Sequence, residues 1–233
     1  MTDKKTTSTL VDSMFSAGAH FAYSRSRRHP SVTPYIFGAK NKVELFDLEK
    51  TSELFAKTLE FIKTLGKENK TILFVGGKSE ARKAVANAGL ALAMPYVDGR
   101  WIGGALTNFK EIRKRIEKYE RLVGERERGE LTKYTKKERL LIDREIENLE
   151  AMFGGIVSMK ELPKAMFVVD AKREDIAVKE AQDMGIPVIS LVGSDCNLLD
   201  VNYPIVGNDS SKTSIEFFLS TVVKAYEEGK KTV

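Results

Sequence analysis

Three short runs in this chain have no polar face. ILFV at residues 72–75, MFVV at 166–169 and VISLV at 188–192 are apolar at every position except Ser190. Successive side chains of a strand point to opposite sides of its sheet, so strands of this kind must be covered on both faces. Stretches with helical apolar spacing lie between and around them, and short strand–helix–strand alternation closes most readily as a parallel sheet. The pattern predicts an α/β fold, a parallel sheet with helices on both faces.

Taken in order, Ser8 or Thr9 is placed to cap a short helix in which Leu10, Met14 and Phe15 share a face, with Gly18 as its stop. PYIFG and KVELF read as two strands joined at AKN, while Pro30 and Pro34 predict an extended, non-helical approach to them. Asp47 caps a helix from Leu48 to about Leu65, with Leu54, Phe55, Leu59 and Ile62 on its buried stripe. Strands follow at Thr71–Val75, Pro95–Val97, Ala165–Val169, Pro187–Val192 and Tyr203–Val206. Helices are expected at Glu80–Met94, Glu174–Met184 and Ser211–Tyr226, and a frayed polar tail at GKKTV.

A charged insertion interrupts this alternation between Gly99 and Val157. Its outbound arm repeats Ile112, Ile116, Tyr119 and Leu122 or Val123, and its return arm Ile142, Ile146, Leu149 and Phe153. Stripes this narrow, flanked by Lys, Arg and Glu, fit two antiparallel helices packed mainly on each other. A protruding antiparallel coiled-coil hairpin over residues 99–157 is therefore expected, inserted in an α/β domain made of 1–98 and 158–233.

The net charge of +5 is mild for 233 residues and argues for nothing alone. Its distribution says more. No carboxylate lies between Asp12 and Glu44, whereas Arg25, Arg27, Arg28, Lys40 and Lys42 all do. Arginine forks in a segment of one sign suit phosphate oxygens, so this loop is a candidate nucleic-acid contact. The single cysteine, Cys196, excludes an intrachain disulfide. The first residues lack the apolar run of a signal peptide, and no stretch reaches the roughly 18 apolar residues that span a bilayer, so a cytoplasmic protein is expected.

Other motifs point less far. GGKS follows a strand and opens a helix, but Ile72 stands where a Walker loop needs its first glycine. The turn still offers Lys78 and backbone N–H groups to a phosphate. Asp98, Asp170, Asp195 and Asp209 fall at strand ends, where turn and capping roles compete with a weak magnesium site. His20 and His29 lack the neighbours of a zinc site or a catalytic triad, and Cys196 beside Asp195 reads as inert. Trp101 is either a core anchor for the hairpin base or a stacking platform.

Several ordered blocks resemble one family. AGAHF, PYIFGAKNKVELFDLEKT, ILFVGGK, DGRWIGGALTNF, TKKERL, LEAMFGGI, LPKAMFVVDAKREDIAVKEAQDMGIPVI and PIVGND together resemble the bacterial small-subunit ribosomal protein family S-two. The resemblance implies a flavodoxin-like domain with a coiled-coil hairpin, built into the small ribosomal subunit, in the cytoplasm. It implies no enzymatic step, and no cofactor is expected beyond the weak magnesium site left open by the aspartates. Implied partners are small-subunit ribosomal RNA and neighbouring small-subunit proteins including S-one. Position by position it places Arg25, Lys40, Asn41, Lys42, Arg100, Thr107, Asn108 and Lys110 at RNA; Arg27, Arg28 and Lys78 join them on charge alone. Ala22-Tyr23 and Arg28-His29 depart from the family's usual Gly-His and Trp-Asn, and GSDCNLLDVNY replaces a segment richer in Asp. Two other classes compete: a nucleotide- or sugar-phosphate-binding α/β enzyme using Gly76–Ser79 and the strand-end aspartates, and a protein-interaction adaptor acting through the hairpin.

Overall fold

The structure, a computed structural model, describes residues 10–231. The first helix, α1, is described over residues 10–16; its expected caps Ser8 and Thr9 lie outside the described residues. A three-stranded antiparallel sheet follows, built from β1 (Phe21–Ser24), β2 (Ile36–Lys40) and β3 (Val43–Phe46) in the order β1-β3-β2. Asn41 and Lys42 join β2 to β3 with φ of 52° and 67°. Two left-handed residues make the turn whose twist matches that of a hairpin.

The parallel sheet has the order β5-β4-β6-β7-β8, with β4 at Ile72–Val75, β5 at Tyr96–Val97, β6 at Ala165–Val169, β7 at Val188–Val192 and β8 at Tyr203–Val206. Ile72 and Phe74 pack in one buried cluster with Phe55, Ile62, Val85, Phe218 and Val222. Those five come from α2 (Leu48–Lys67), α3 (Arg82–Leu92) and α7 (Lys212–Lys231). Leu73 and Val75 enter a second cluster with Ala177 and Val178 of α6 (Asp175–Asp183). Alternate residues of one strand thus feed opposite cores, which is why these strands tolerate no polar face. Full burial of each phenylalanine among Phe55, Phe74, Phe167 and Phe218 contributes about 1.5–3 kcal/mol.

Asp47 caps α2 by accepting from the N–H groups of Glu49 and Lys50. Near the other end of α2, Gly66 lies where a Cβ would meet the Tyr226 carbonyl, and Gly229 of α7 lies likewise against the Lys63 carbonyl. The two helices therefore approach through their backbones. This contact carries α7 on to Lys231, beyond the expected end at Tyr226, so the expected fraying does not begin at Gly229; Thr232 and Val233 lie outside the described residues.

The insertion holds α4 (Phe109–Glu127) and α5 (Lys136–Phe153). Ile112, Ile116 and Leu122 are buried with Ile146, Leu149 and Phe153, in the same cluster as Leu73 and Trp101. Thr135 and Glu138 form a reciprocal capping box at the start of α5, and a Lys118–Glu145 ion pair bridges the helices. Two expectations fail. FAYS pairs as β1, and residues 25–27 and 30–35 form short 3-10 turns instead of extended chain. Proline at a first helical position needs no N–H and has a suitable φ, and the His29 ring nitrogen accepts from the Ser31 N–H. No helix among the described residues is long and apolar enough to cross a membrane.

Candidate nucleic-acid interface

Register sets the cationic segments side by side. Ser24 of β1 and Lys40 of β2 both pair with Val43 of β3. With strands about 4.8 Å apart, Arg25 leaves the sheet about 10 Å from the Asn41–Lys42 turn. Arg25, Lys40, Asn41 and Lys42 are exposed, and none of the three cations has an ion pair among the described residues. Phe37, three residues before Lys40 on β2, is 79% exposed. Sequence reasoning missed Phe37, although strand alternation after the half-buried Ile36 would have turned it outward.

The absence of carboxylates between Asp12 and Glu44 does not survive folding. Glu44, buried on β3, binds Arg28 at 2.9 Å. Asp195, from the loop after β7, binds Arg27 at 3.4 Å and Lys172 at 3.2 Å. Arg27 also stacks over Tyr23, 4.2 Å from the ring centroid. The loop is tied down further, the His29 N–H donating to the Ser194 carbonyl at 2.8 Å and the Tyr23 N–H to Ser194 Oγ at 3.0 Å. Arg27 and Arg28 are thus partly neutralised from elsewhere in the chain.

Lys78 is corrected more strongly. The residue is 9% exposed, its Nζ 2.9 Å from Asp170 Oδ2 and 3.3 Å from Asp209 Oδ2. Burial opposes the ammonium charge, but Asp209 and Asp170 outweigh it and raise its pKa. Burial and the nearby Asp170 push the Asp209 carboxyl up to about 6. Asp170 sits at φ 67°, a left-handed strain held by this pairing and by bonds to the start of α6. Lys78 is an internal counter-ion and not a surface contact. In the GGKS turn two N–H groups are already engaged, that of Gly76 with the Val97 carbonyl at 2.9 Å and that of Gly77 with Glu174 Oε1 at 3.1 Å.

Asp170, Asp209 and Cys196 have potential ligand atoms within 4.8 Å of one another, and Lys78 supplies the positive charge between the two carboxylates. Asp195 is engaged with Arg27 and Lys172 instead. Burial pushes the Cys196 thiol up to about 12, with Asp170 adding to it, so the thiolate needed for metal binding or attack is disfavoured.

Glu180 organises the hairpin base. Its Oε1 accepts from Trp101 Nε1 at 3.1 Å and Gly104 N at 2.7 Å. Its Oε2 accepts from Leu106 N at 3.0 Å, Thr107 N at 3.2 Å and Thr107 Oγ1 at 3.2 Å. Burial works against ionisation, yet the Leu106 N–H, the indole and the other donors prevail and hold the carboxyl below its ordinary value. Trp101 is therefore a core anchor. The Thr107 hydroxyl faces Glu180, while Arg100, Asn108 and Lys110 remain exposed around this knot. Within a helix, nothing local distinguishes Glu180 from its charged neighbours; only contacts across more than seventy positions reveal it.

The fold and surface define a class: a flavodoxin-like α/β protein carrying an inserted helical pair and a cationic antiparallel sheet. Residues 14–229 match the family described as ribosomal protein S2. The chain belongs to that family. It is 42% identical over 217 residues to the small ribosomal subunit protein uS2 of Sulfurimonas denitrificans, covering 93% of this chain and 84% of the relative. The uS2 proteins of Nitratiruptor sp. and Coprothermobacter proteolyticus are 40% and 38% identical, each over 94% of this chain and over 82% and 81% of their own lengths.

Proposed function

We propose that this chain is a structural, non-enzymatic constituent of the small ribosomal subunit, acting in translation in the cytoplasm and binding ribosomal RNA through its cationic sheet end and hairpin base. The observation that carries the RNA contact is that Arg25, Lys40 and Lys42 are exposed at one end of the antiparallel sheet without an ion pair among the described residues, with the exposed Phe37 on the same strand as Lys40. Three cations on one rigid sheet end can neutralise neighbouring phosphates, and a solvent-facing aromatic ring offers an unpaired base a stacking surface. Asn41, Arg100, Asn108 and Lys110 extend the same role. Thr107, Arg27 and Arg28 act mainly by positioning it, since their polar groups already have partners.

In this reading the 99–157 insertion acts as a projecting arm on the α/β unit of residues 1–98 and 158–233. Neighbouring small-subunit proteins, S-one among them, are its protein partners. This reading assigns no cofactor, and what supports that is the Lys78 ammonium already seated between Asp170 and Asp209. Filter binding to small-subunit ribosomal RNA over a salt series tests the RNA contact. Exchanging Arg25, Lys40 and Lys42 for glutamine should lower the log–log salt slope by about 2 to 3, at roughly 0.7–0.9 per phosphate contact. An unchanged slope would remove the RNA contact from this face.

A further inference from the structure

A second cationic site lies at the carboxyl edge of the parallel sheet. Arg82 opens α3 after β4, Arg100 follows β5, and Arg173 precedes α6 after β6. These strands are neighbours in the order β5-β4-β6, and the chain reverses direction across the sheet here. Such a switch point leaves a crevice between diverging connections. The crevice is a cavity of about 330 Å³, whose wall includes all three arginines, Trp101 and the single carboxylate Glu174.

None of the three guanidinium groups has an ion-pair partner among the described residues, although acids are near in sequence. Asp175 is held by Lys179 at 3.0 Å. Glu174 accepts from the Gly77 N–H; burial raises its pKa, with that hydrogen bond and the Arg173 charge working the other way. Three guanidinium groups set against the one carboxylate Glu174 leave an excess of positive charge that repels itself, and an anion relieves that repulsion while accepting bonds from planar forks. Trp101 is buried with its indole N–H engaged by Glu180, so the site offers no open ring on which a base could stack.

We propose that the cavity bounded by Arg82, Arg100 and Arg173 takes a backbone phosphate of ribosomal RNA, extending the RNA-binding face from the hairpin base onto the carboxyl edge of the parallel sheet. This rests on the RNA reading above, and Arg100, exposed at the hairpin base, is the residue both surfaces share. Arg82 and Arg173 are the new contacts.

The test compares an Arg82→Gln, Arg173→Gln double variant with the Arg25, Lys40, Lys42 glutamine variant in the same salt-dependent binding to small-subunit ribosomal RNA. Arg82 and Arg173 are exposed, so unchanged circular dichroism and melting temperature are expected for the double variant. Its salt slope should fall by about 1.4 to 1.8, two contacts at roughly 0.7–0.9 each. An unchanged slope in the double variant, with a lowered slope in the sheet variant, would overturn the cavity assignment and leave the RNA reading standing. Unchanged slopes in both variants would overturn the two together. Inorganic phosphate that stabilises the wild type but not the double variant, with no change in RNA slope, would assign the cavity to a free anion instead.

Discussion

Exchanging Glu180 for glutamine alters one heavy atom and should loosen the whole hairpin base. The carboxylate accepts two bonds on Oε1 and three on Oε2, four of the five donors being N–H groups that cannot reverse. A glutamine amide keeps one acceptor oxygen and turns an NH₂ toward the other set. Whichever way it lies, at least two N–H groups then face a donor, because only the Thr107 hydroxyl can rotate to accept. At about 1.5 kcal/mol or more for each charge-assisted bond lost, the cost is about 3 kcal/mol. For a chain of this size that lowers the melting temperature by about 6–12 °C. Scanning calorimetry reads the shift, and hydrogen exchange should show the Leu106 and Thr107 amides opening first. Because the folded carboxyl titrates below its ordinary value of 4.5, its stabilisation is present above that pH and lost as pH falls through the folded pKa. The deficit of the variant should therefore shrink in acid. A melting temperature within about 2 °C of wild type at neutral pH would refute the knot as the organiser of the hairpin base.

Two further perturbations separate internal from external charges. Lys78→Met leaves Asp170 and Asp209 facing each other in a buried setting, at a cost of about 3–5 kcal/mol. The Asp209 carboxyl already titrates near 6 against an ordinary 3.8, so in the wild type its contribution turns less favourable as pH rises from about 4 to 6. Without the ammonium that trend steepens, and urea unfolding should show a larger deficit at pH 8 than at pH 5; equal deficits would contradict the pairing. Lys42→Gly relieves a left-handed lysine at φ 67°, and unfolding experiments should show stability unchanged or higher by up to about 1 kcal/mol. The same variant should bind RNA with a salt slope lower by about 0.7–0.9, and a full slope would remove Lys42 from the interface.

The parallel sheet was legible because its strands carry their environment in their composition. AMFVV and YPIV form the expected strands Ala165–Val169 and Tyr203–Val206. Asp47 was legible for a similar reason, since a cap acts within three residues of itself. β1 was not, because FAYS becomes a strand only by pairing Phe21 with Leu45. The basic cluster was half legible. A window along the chain finds Arg25, Arg27 and Arg28 but cannot find Glu44 across the sheet or Asp195, 168 positions from Arg27. Lys78 failed as a surface contact for the same reason, its partners arriving from two other strand ends. Glu180, Phe37 and the Arg82–Arg173 cavity likewise arise from juxtaposition.

Sedimentation of tagged protein with small ribosomal subunits, at rising salt, addresses the central claim most directly. Wild-type chain should migrate with the particle at low salt and leave it as salt increases, while the Arg25, Lys40, Lys42 glutamine variant should leave at distinctly lower salt. Release of both proteins at the same salt, or wild-type chain at the top of the gradient under every condition, would contradict attachment through this cationic face.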